Sequence, residues 1–363
     1  MQLPTPEQND LRAISHKVLM RNATSERVRE VAGEHAGHDS ALWEKIADLG
    51  WLALTIPEDH DGLGLGLAEL AILAEEFGYT LQPSPFVTHS LATWLLGRHG
   101  SAALQSRLLP ALATGDMIAA CGLQDPAERR ALTLNGDRLN GVQRFVPHAA
   151  QAGVLVLDAL ADEEHVVVLV DVADAGDTLQ AGAQHTMDLT RPYATVVFDG
   201  TPVSTDAVIS VPMGRTELWQ AAIALQCAES VGVTSRLVDM TVSYAATRRQ
   251  FGRPIGSFQA IKHRIADMHI DREGAAAATE EAACAVQRRR SDAAVAVHVA
   301  KSWTGRAASS VASEALQLHG GIGFTWEHDL HLFMRRAKVN ELLLGQPGWH
   351  DEQLFDALVA GTA

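Results

Sequence analysis

An arginine pair at the end of an apolar-periodic helix is the feature of this chain best suited to bind an anion. Arg248 and Arg249 are followed by Phe251, Gly252 and Pro254. A planar guanidinium can donate two parallel hydrogen bonds to phosphate or carboxylate oxygens. The same residues also suit a plain helix C-terminus, where cations favour the helix dipole and Gly and Pro stop the helix. Taken alone, the segment fits the plain helix end better.

A second short segment is rich in glycine and follows another helical stretch. It reads Gln-Leu-His-Gly-Gly-Ile-Gly-Phe over residues 317–324. Gly is the usual residue just beyond a helix C-terminus, so this run also has a purely structural interpretation. The two segments occur in this order with apolar-periodic helices between them, and the pair is more informative than either segment alone.

Together the two segments resemble the paired signature of the acyl-CoA dehydrogenases, and the resemblance covers essentially the whole chain. In that family, the Arg-x-x-Phe-Gly turn reaches across a subunit interface, where its Arg pairs with the pyrophosphate of FAD. The Gln and the second Gly of the other turn let the adenosine diphosphate half of FAD lie against bare backbone. The resemblance therefore implies FAD as the cofactor, with the binding residues Arg248, Gln250, Phe251, Gln317, Gly320 and Gly321.

The resemblance also implies a reaction. Family members desaturate an acyl-CoA thioester: a carboxylate removes the α-proton while the β-hydrogen leaves as hydride to the flavin. The base must be anionic at neutral pH, and burial beside the flavin raises the pKa of such a carboxyl toward the working range. An acyl-CoA is thus the expected substrate, and an electron-transfer flavoprotein is the expected electron acceptor.

The catalytic carboxylate is missing from both places that the family uses. One place lies 26 residues before the motif arginine and holds Ala222, and the other follows the Arg-Arg-Ala-Lys run at 335–338 and holds Leu344. Glu217 and Glu341 are the nearest acids in sequence, and we interpret both as solvated surface acids. A relocated base such as Glu341 stays open as an alternative. We therefore predict no catalytic residue in this chain.

The part of the flavin site that the middle of the chain contributes is also altered. Where the family has Leu-Thr-Glu-Pro and then Gly-Ser-Asp, this chain has Leu-Gln-Asp-Pro at 123–126 and Ala-Glu-Arg-Arg at 127–130. Where a Trp-Ile-Thr motif covers the isoalloxazine, Phe-Val-Pro-His stands at 145–148. Pro147 has neither a hydroxyl nor a backbone N–H to donate. The chain keeps the residues that it would lend to a neighbour's FAD and lacks several for its own.

This asymmetry resembles the bacterial acyl-CoA dehydrogenases that are α2β2 heterotetramers, notably those for CoA thioesters of sterol side chains. In these enzymes one subunit carries the base and the flavin pocket, and the other completes the cofactor site. The resemblance implies that this chain is the non-catalytic subunit, that a second acyl-CoA dehydrogenase subunit is its partner, and that the partner binds most of the acyl-CoA. Two alternatives stay open: a self-sufficient homotetramer with a relocated base, and an inactive scaffold or CoA-thioester-binding paralogue.

Composition argues against several other classes of function. The 363 residues carry a net charge of −15, which argues against a nucleic-acid partner. No apolar run approaches membrane-spanning length, so no membrane partner is expected. The 3 cysteines and 16 histidines give no convincing metal-ligand spacing, so no metal is predicted. We expect a soluble, cytoplasmic protein of lipid metabolism.

The spacing of apolar residues changes twice along the chain. Residues 5–8, Thr-Pro-Glu-Gln, are typical of a helix start, and helical patterns continue to about residue 115. Short apolar runs between turn residues then indicate strands, and three- and four-residue spacing returns from Leu218. We predict an α+β protein with an N-terminal helical domain (1–115), a middle β-barrel domain (116–212) and a C-terminal four-helix bundle (213–363). The resemblance implies the acyl-CoA dehydrogenase fold.

Overall fold

The computed structural model describes residues 4–33, 37–126, 132–210 and 212–360. The chain forms two compact units. Met1–Val28, Ala71–Gln82 and Ile223–Ala363 make the first unit, and Arg29–Leu70 and Pro83–Ala222 make the second. Along the chain, helices come first, strands follow and long helices end it, which confirms the predicted α+β order. The domain limits near residues 115 and 212 stay predictions.

Helices precede the strands, and the first of them begins with the predicted cap. The Thr5 hydroxyl accepts a hydrogen bond from the Gln8 backbone N–H at 3.3 Å, and the Gln8 side chain accepts one from the Thr5 N–H at 3.0 Å. This reciprocal pair satisfies two backbone donors that a helix start leaves unpaired. The helices are α1 (Pro6–Asn22), α2 (Ser25–Gly33), α3 (Ser40–Asp48), α4 (Leu67–Thr80), α5 (Phe86–His99) and α6 (Ala102–Thr114).

The middle of the chain forms one eight-stranded sheet in the second unit. The strands are β1 (Ala119–Gly122), β2 (Leu132–Asn135), β3 (Arg138–Pro147), β4 (Val154–Ala161), β5 (Glu164–Asp171), β6 (Leu179–Gln184), β7 (Tyr193–Pro202) and β8 (Val208–Ile209). Their order in the sheet is β6-β7-β3-β2-β4-β5-β8, and β1 pairs in parallel with β4. A short helix, α7 (Val172–Ala175), follows β5.

The apolar runs at 118–121, 153–157, 165–170 and 194–198 coincide with β1, β4, β5 and β7. The other four strands lack such a run. β3 mixes buried and exposed residues and shifts register twice against β7, and β6 is almost entirely exposed. These strands are held by backbone pairing with their neighbours, a contact that local apolar spacing does not report.

Long helices end the chain, as the spacing from Leu218 predicts. They are α8 (Pro212–Thr247), α9 (Gln259–Gln287), α10 (Ala293–His319), α11 (Leu330–Leu342) and α12 (Pro347–Ala360). Within the first unit, one buried apolar core joins α8, α9, α10 and α11, with Val233, Leu237, Met268, Val311 and Phe333 among its members. α12 packs on α10. In the part of the chain that the structure describes, no helix is long and apolar enough to cross a membrane.

Gly232 in α8 lies against α4 at a distance that only a glycine permits. A Cβ at this position would lie 1.8 Å from the Glu75 carbonyl oxygen. We expect Gly232→Ala to lower the free energy of unfolding by about 3 kcal/mol, because the backbones must move apart. Gly348→Ala in α12 is the control, since its Cβ would meet nothing within 4 Å. Chemical denaturation should show the control unchanged to within about 0.5 kcal/mol, and equal losses in both variants would contradict the prediction.

Candidate functional site

The cationic turn after α8 is a tight β-hairpin. Its strands are β9 (Arg249–Gln250) and β10 (Arg253–Pro254), which pair antiparallel. The two loop residues, Phe251 and Gly252, have φ of 51° and 77°. Two successive positive φ values are the mark of the type I′ turn that suits a two-residue hairpin. Phe251 is unusual there, because a bulky residue is strained at positive φ, and its ring is 91% exposed.

Backbone hydrogen bonds fix Arg248 at the base of this hairpin. Its N–H donates to the Tyr244 carbonyl at 2.8 Å, and its carbonyl accepts from the Ile255 N–H at 2.8 Å. The Arg249 guanidinium donates to the Gly252 carbonyl at 3.1 Å, and the Gln250 amide donates to the Arg249 carbonyl at 2.9 Å. The Arg248 side chain is exposed, and within the described ranges it has no ion-pair partner. It is therefore available to an anion from outside the chain.

The glycine turn after α10 presents bare backbone at the surface. α10 ends at His319, and a single turn of 3-10 helix covers Gly320–Phe324. Gly320 has φ 63°, and a Cβ at Gly320 or Gly321 would meet nothing within 4 Å. The Gln317 side chain is exposed beside this turn. An extended nucleotide could lie along Gly320 and Gly321 without a steric obstacle on the backbone.

All six predicted cofactor residues lie in the first unit, and one ring contact joins the two segments that carry them. The Tyr244 ring stacks on the His319 ring with a centroid distance of 4.5 Å and an interplanar angle of 21°. Tyr244 precedes the hairpin by one helical turn, and His319 directly precedes the glycine turn. Sequence reasoning did not single out His319, because residue spacing carries no signal for a contact between distant segments.

The residues of these two segments fit the adenosine diphosphate and pyrophosphate part of FAD. An exposed guanidinium suits phosphate oxygens, and open glycine backbone suits the close approach of a flat or extended ligand. Arg248, Gln317 and the Gly320–Gly321 backbone would hold this part of the cofactor, with Gln250 and Phe251 beside them on the hairpin.

The end of β3 fits the isoalloxazine part poorly. The Phe145 N–H donates to the Gln184 side chain at 2.8 Å, and the His148 N–H donates to the Pro192 carbonyl at 3.0 Å. Pro147 between them has no N–H. The backbone donors of Phe145 and His148 are thus already used within the chain. The altered run at 127–130 lies outside the described residues.

Neither of the two positions at which the resemblance predicts a base holds a side chain that can accept a proton. Ala222 is buried, and Leu344 has an apolar side chain in the left-handed conformation with φ 59°. Glu341 lies one turn before Leu344, with its side chain 17% exposed. Its Oε2 accepts from the Ser309 hydroxyl at 2.6 Å and pairs with Lys338. Glu341 is therefore less solvated than we predicted, and its carboxylate is already engaged.

The interpretation of Glu217 as a solvated surface acid is wrong. Its side chain is only 3% exposed, and its carboxylate accepts from Arg98 Nε at 3.0 Å. His99 Nε2 lies 3.1 Å from the same oxygen. These contacts join α5 to the first turns of α8 within the second unit. A buried ion pair of this kind is structural, because the carboxylate is already neutralised by its neighbours.

Buried polar groups hold the backbone on either side of Leu344. Lys301 Nζ donates to the carbonyls of Asn340 and Leu343, the latter at 2.7 Å. His350 Nε2 donates to the Leu344 carbonyl at 2.9 Å. Burial lowers the pKa of His350 to about 4, so this ring is neutral at pH 7. The left-handed conformation of Leu344 is thus fixed by buried hydrogen bonds to the residues around it.

The cysteines and histidines of the described residues do not assemble a metal site. Within the described ranges, no cluster of three or more Cys, His, Asp or Glu side chains could hold a metal ion. Cys121 and Cys227 are buried, and burial raises their thiol pKa values to about 12 and about 11. His328 contacts His319 edge-on, and His331 stacks on Trp326. These rings are used for packing.

Comparison with known proteins agrees with the fold. Residues 5–116 match the family model of the acyl-CoA dehydrogenase N-terminal domain, and residues 220–358 match that of the C-terminal domain. Acyl-CoA dehydrogenase IpdE2 of Mycobacterium tuberculosis is 34% identical over 346 residues, which cover 95% of each chain. IpdE2 of Mycolicibacterium smegmatis is 32% identical over 342 residues, which cover 94% of this chain and 95% of that protein.

Solved structures extend the similarity to three dimensions. The ChsE4-ChsE5 complex from Mycobacterium tuberculosis superposes with a TM-score of 0.93 at 28% identity, over 99% of each chain. A steroid ACAD variant named Tcur3481-Tcur3483 superposes with a TM-score of 0.91 at 29% identity, over 98% of each chain. With its helical, sheet and helical parts in the same order, this chain has the acyl-CoA dehydrogenase fold, and it belongs to the acyl-CoA dehydrogenase family.

Proposed function

We propose that this chain is the non-catalytic subunit of a heteromeric, FAD-dependent acyl-CoA dehydrogenase and that it completes the FAD site of its partner. The contrast between its two candidate flavin surfaces carries the proposal. The hairpin and the glycine turn are exposed and open, whereas the end of β3 already uses its backbone donors. A subunit that contributes half of a cofactor site to its partner would have one open surface for the partner's FAD and no complete surface for an FAD of its own.

The positions of the acids support the same assignment. Ala222 and Leu344 occupy the two places where the family carries its base. Glu341 is paired with Lys338 and Ser309, and Glu217 is buried against Arg98. The α-proton of an acyl-CoA would therefore be removed by a carboxylate of the partner subunit. This chain would hold and orient the cofactor, which supplies the hydride acceptor when bound.

The residues that would complete the partner's FAD site have different roles. Arg248 would donate to the pyrophosphate of the partner's FAD, and its backbone hydrogen bonds to Tyr244 and Ile255 would fix the main chain from which the guanidinium extends. Gln317 and the Gly320–Gly321 backbone would contact the adenosine diphosphate half. Phe251, strained and exposed at the hairpin tip, would be covered by the partner.

The relatives favour a substrate class and an acceptor. One similar structure is a steroid ACAD variant, Tcur3481-Tcur3483, and another is the ChsE4-ChsE5 complex. These similarities favour a CoA thioester of a steroid-derived acid, bound mainly by the partner subunit. The family's usual electron acceptor, an electron-transfer flavoprotein, would then reoxidise the flavin.

Expressed alone, this chain should retain little FAD, because its own isoalloxazine surface lacks donors. Co-expressed with a second acyl-CoA dehydrogenase that has an intact base, it should form a yellow complex with about one FAD for each pair of different chains. The flavin absorbance measures the amount of bound FAD, and the mass of the complex gives its subunit composition. A yellow homotetramer with one firmly held FAD per chain would contradict the proposal, and a stable complex without flavin would favour the scaffold alternative.

Arg248→Ala should weaken FAD binding by the complex about 10- to 100-fold, because charge-assisted hydrogen bonds to phosphate contribute about 1.5–3 kcal/mol. Arg248→Lys should recover only part of this, since an ammonium cannot form two parallel hydrogen bonds. Arg249→Ala is the matched control, because the Arg249 guanidinium bonds within the hairpin to Gly252. Titration of the apo-complex with FAD measures the dissociation constants. Equal effects of the two alanine variants would show that the hairpin acts only through its net charge.

A further inference from the structure

His319 is a buried polar residue that the proposed cofactor contacts do not use. Only 3% of the residue is exposed, and its Nδ1 lies 2.7 Å from the Ala315 carbonyl oxygen. A carbonyl oxygen can only accept, so Nδ1 carries the proton and donates. Burial lowers the pKa of His319, the hydrogen bond to Ala315 partly offsets this, and the neighbouring His328 adds to the lowering. The ring is therefore neutral at pH 7 in one fixed tautomer.

A histidine at this place has a cost that a purely apolar ring would avoid. Its Nε2 is buried and, within the described part of the chain, has no hydrogen-bond partner. An unpaired buried acceptor disfavours the folded state, so such groups are rare in proteins. A role in filling the core alone does not explain the residue.

The contacts of the ring indicate what it does. One face stacks on Tyr244 at 4.5 Å, and the edge meets His328 at 4.9 Å. The hydrogen bond from Nδ1 to Ala315 fixes the ring orientation on α10. Gly323 approaches so closely that a Cβ there would lie 3.2 Å from the His319 Cβ. His319 thus contacts both its own glycine turn and the helix end that carries the hairpin.

The stack of Tyr244 on His319 is connected to Arg248 by backbone hydrogen bonds at the end of α8. The Tyr244 carbonyl accepts from the Arg248 N–H at 2.8 Å, and the Arg248 carbonyl accepts from the Ile255 N–H at 2.8 Å. A shift of the Tyr244 ring therefore moves the end of α8 and the base of the hairpin. Besides this stack, the apolar core shared by α8 and α10 connects the two helices, while each turn is closed by its own local hydrogen bonds.

We propose that His319 is a positioning residue that locks the Arg248 hairpin and the Gly320–Gly321 turn into one rigid surface, so that both can contact one nucleotide at the same time. The proposal rests on the proposed function, since it assumes that the two segments hold one FAD. Two rigidly held contacts bind more tightly than two that must be ordered on binding, because the ordering cost is already met in the free protein.

A double-mutant cycle in the FAD-loaded complex tests the proposal. His319→Leu should weaken FAD binding about tenfold, because the stack and the fixed orientation are both lost. His319→Phe should keep the stack but lose the Nδ1 hydrogen bond to Ala315, so its FAD affinity should lie between that of His319→Leu and that of the unmodified chain. In an Arg248→Ala background, His319→Leu should cause little further loss, since there is no longer a guanidinium to position.

The control is His331→Leu, because His331 is also a largely buried ring stacked on a neighbour, Trp326, at 4.6 Å. It should lower thermal stability without changing the FAD dissociation constant by more than about twofold. Tyr244→Leu removes the other ring of the stack and should repeat the His319→Leu result if that variant fails to fold. Dissociation constants come from flavin fluorescence, independent of turnover.

The outcomes separate this proposal from the proposed function. If Arg248→Ala weakens FAD binding while His319→Leu does not, or if the two losses simply add, His319 is structural and the inference is overturned. If neither variant changes FAD binding, the proposed function itself fails and the inference fails with it. The inference is supported if the losses of FAD affinity are non-additive and His319→Phe binds FAD more tightly than His319→Leu.

Discussion

Glu341→Gln is expected to leave the turnover of the proposed heteromeric complex nearly unchanged, whereas replacing the catalytic Glu of the proposed partner subunit by Gln should lower it about 100- to 10,000-fold. The structure gives the reason. The Glu341 carboxylate accepts from Ser309 at 2.6 Å and pairs with Lys338, and it would have to leave both to take a proton from a substrate. A glutamine keeps the acceptor for Ser309 and so preserves the local packing.

The same reasoning applies to bases introduced by mutation. Ala222→Glu and Leu344→Glu, each made in this chain alone, should produce no activity. A carboxylate buried where no flavin and thioester are bound gains no transition-state stabilisation, and its burial disfavours the charged form. Steady-state turnover with FAD content and stability measured in parallel checks this series. A collapse of turnover on Glu341→Gln, with fold and FAD retained, would make this chain its own catalyst and overturn the heteromer proposal.

Arg336→Met should lower the free energy of unfolding by about 3–5 kcal/mol, because it leaves a buried carboxylate without its cation. Arg336 donates to Glu229 Oε1 at 2.7 Å, and both side chains are almost completely buried between α8 and α11. Asn340 donates to the other carboxylate oxygen at 3.0 Å. The carboxylate is thus enclosed by donors in the core of the first unit.

The double variant Arg336→Met with Glu229→Met separates the charge effect from packing. Removing both charges should recover most of the loss, because an apolar pair of similar volume replaces a desolvated ion pair. Arg264→Met is the surface control: it breaks the more exposed pair with Glu314 and should change stability by less than about 1 kcal/mol. Denaturation at one fixed protein concentration measures the three variants and the unmodified chain. A double variant as unstable as Arg336→Met would show that packing, and not the unpaired charge, dominates.

Local patterns predicted the helical elements and half of the sheet. The capping residues Thr5 and Gln8 form the predicted helix start, and the spacing from Leu218 onward corresponds to α8 and the helices after it. These signals are local, because caps and helical periodicity depend on residues within one or two turns. β3 and β6 were not predicted, since their stability comes from pairing with β7 rather than from their own apolar residues.

The candidate site was likewise predicted only in part from the sequence. The sequence alone indicated both candidate cofactor-binding segments, since each is a short contiguous motif, and it showed apolar residues at positions 222 and 344. It misjudged Glu217 and Glu341, because an acid's exposure depends on helices that approach it from elsewhere in the chain. It also gave no sign that His319 stacks on Tyr244.

What the sequence determined by itself is the family, the order of helices and strands, and the apolar residues at the two positions where the resemblance predicts a base, because these follow from residue identity and local spacing. What only the tertiary structure decided is which polar groups are buried, paired or open. Arg248, which directly follows α8, is exposed, whereas Arg336, within α11, lies in the core. Burial and pairing are properties of contacts between distant segments, and folding alone sets them.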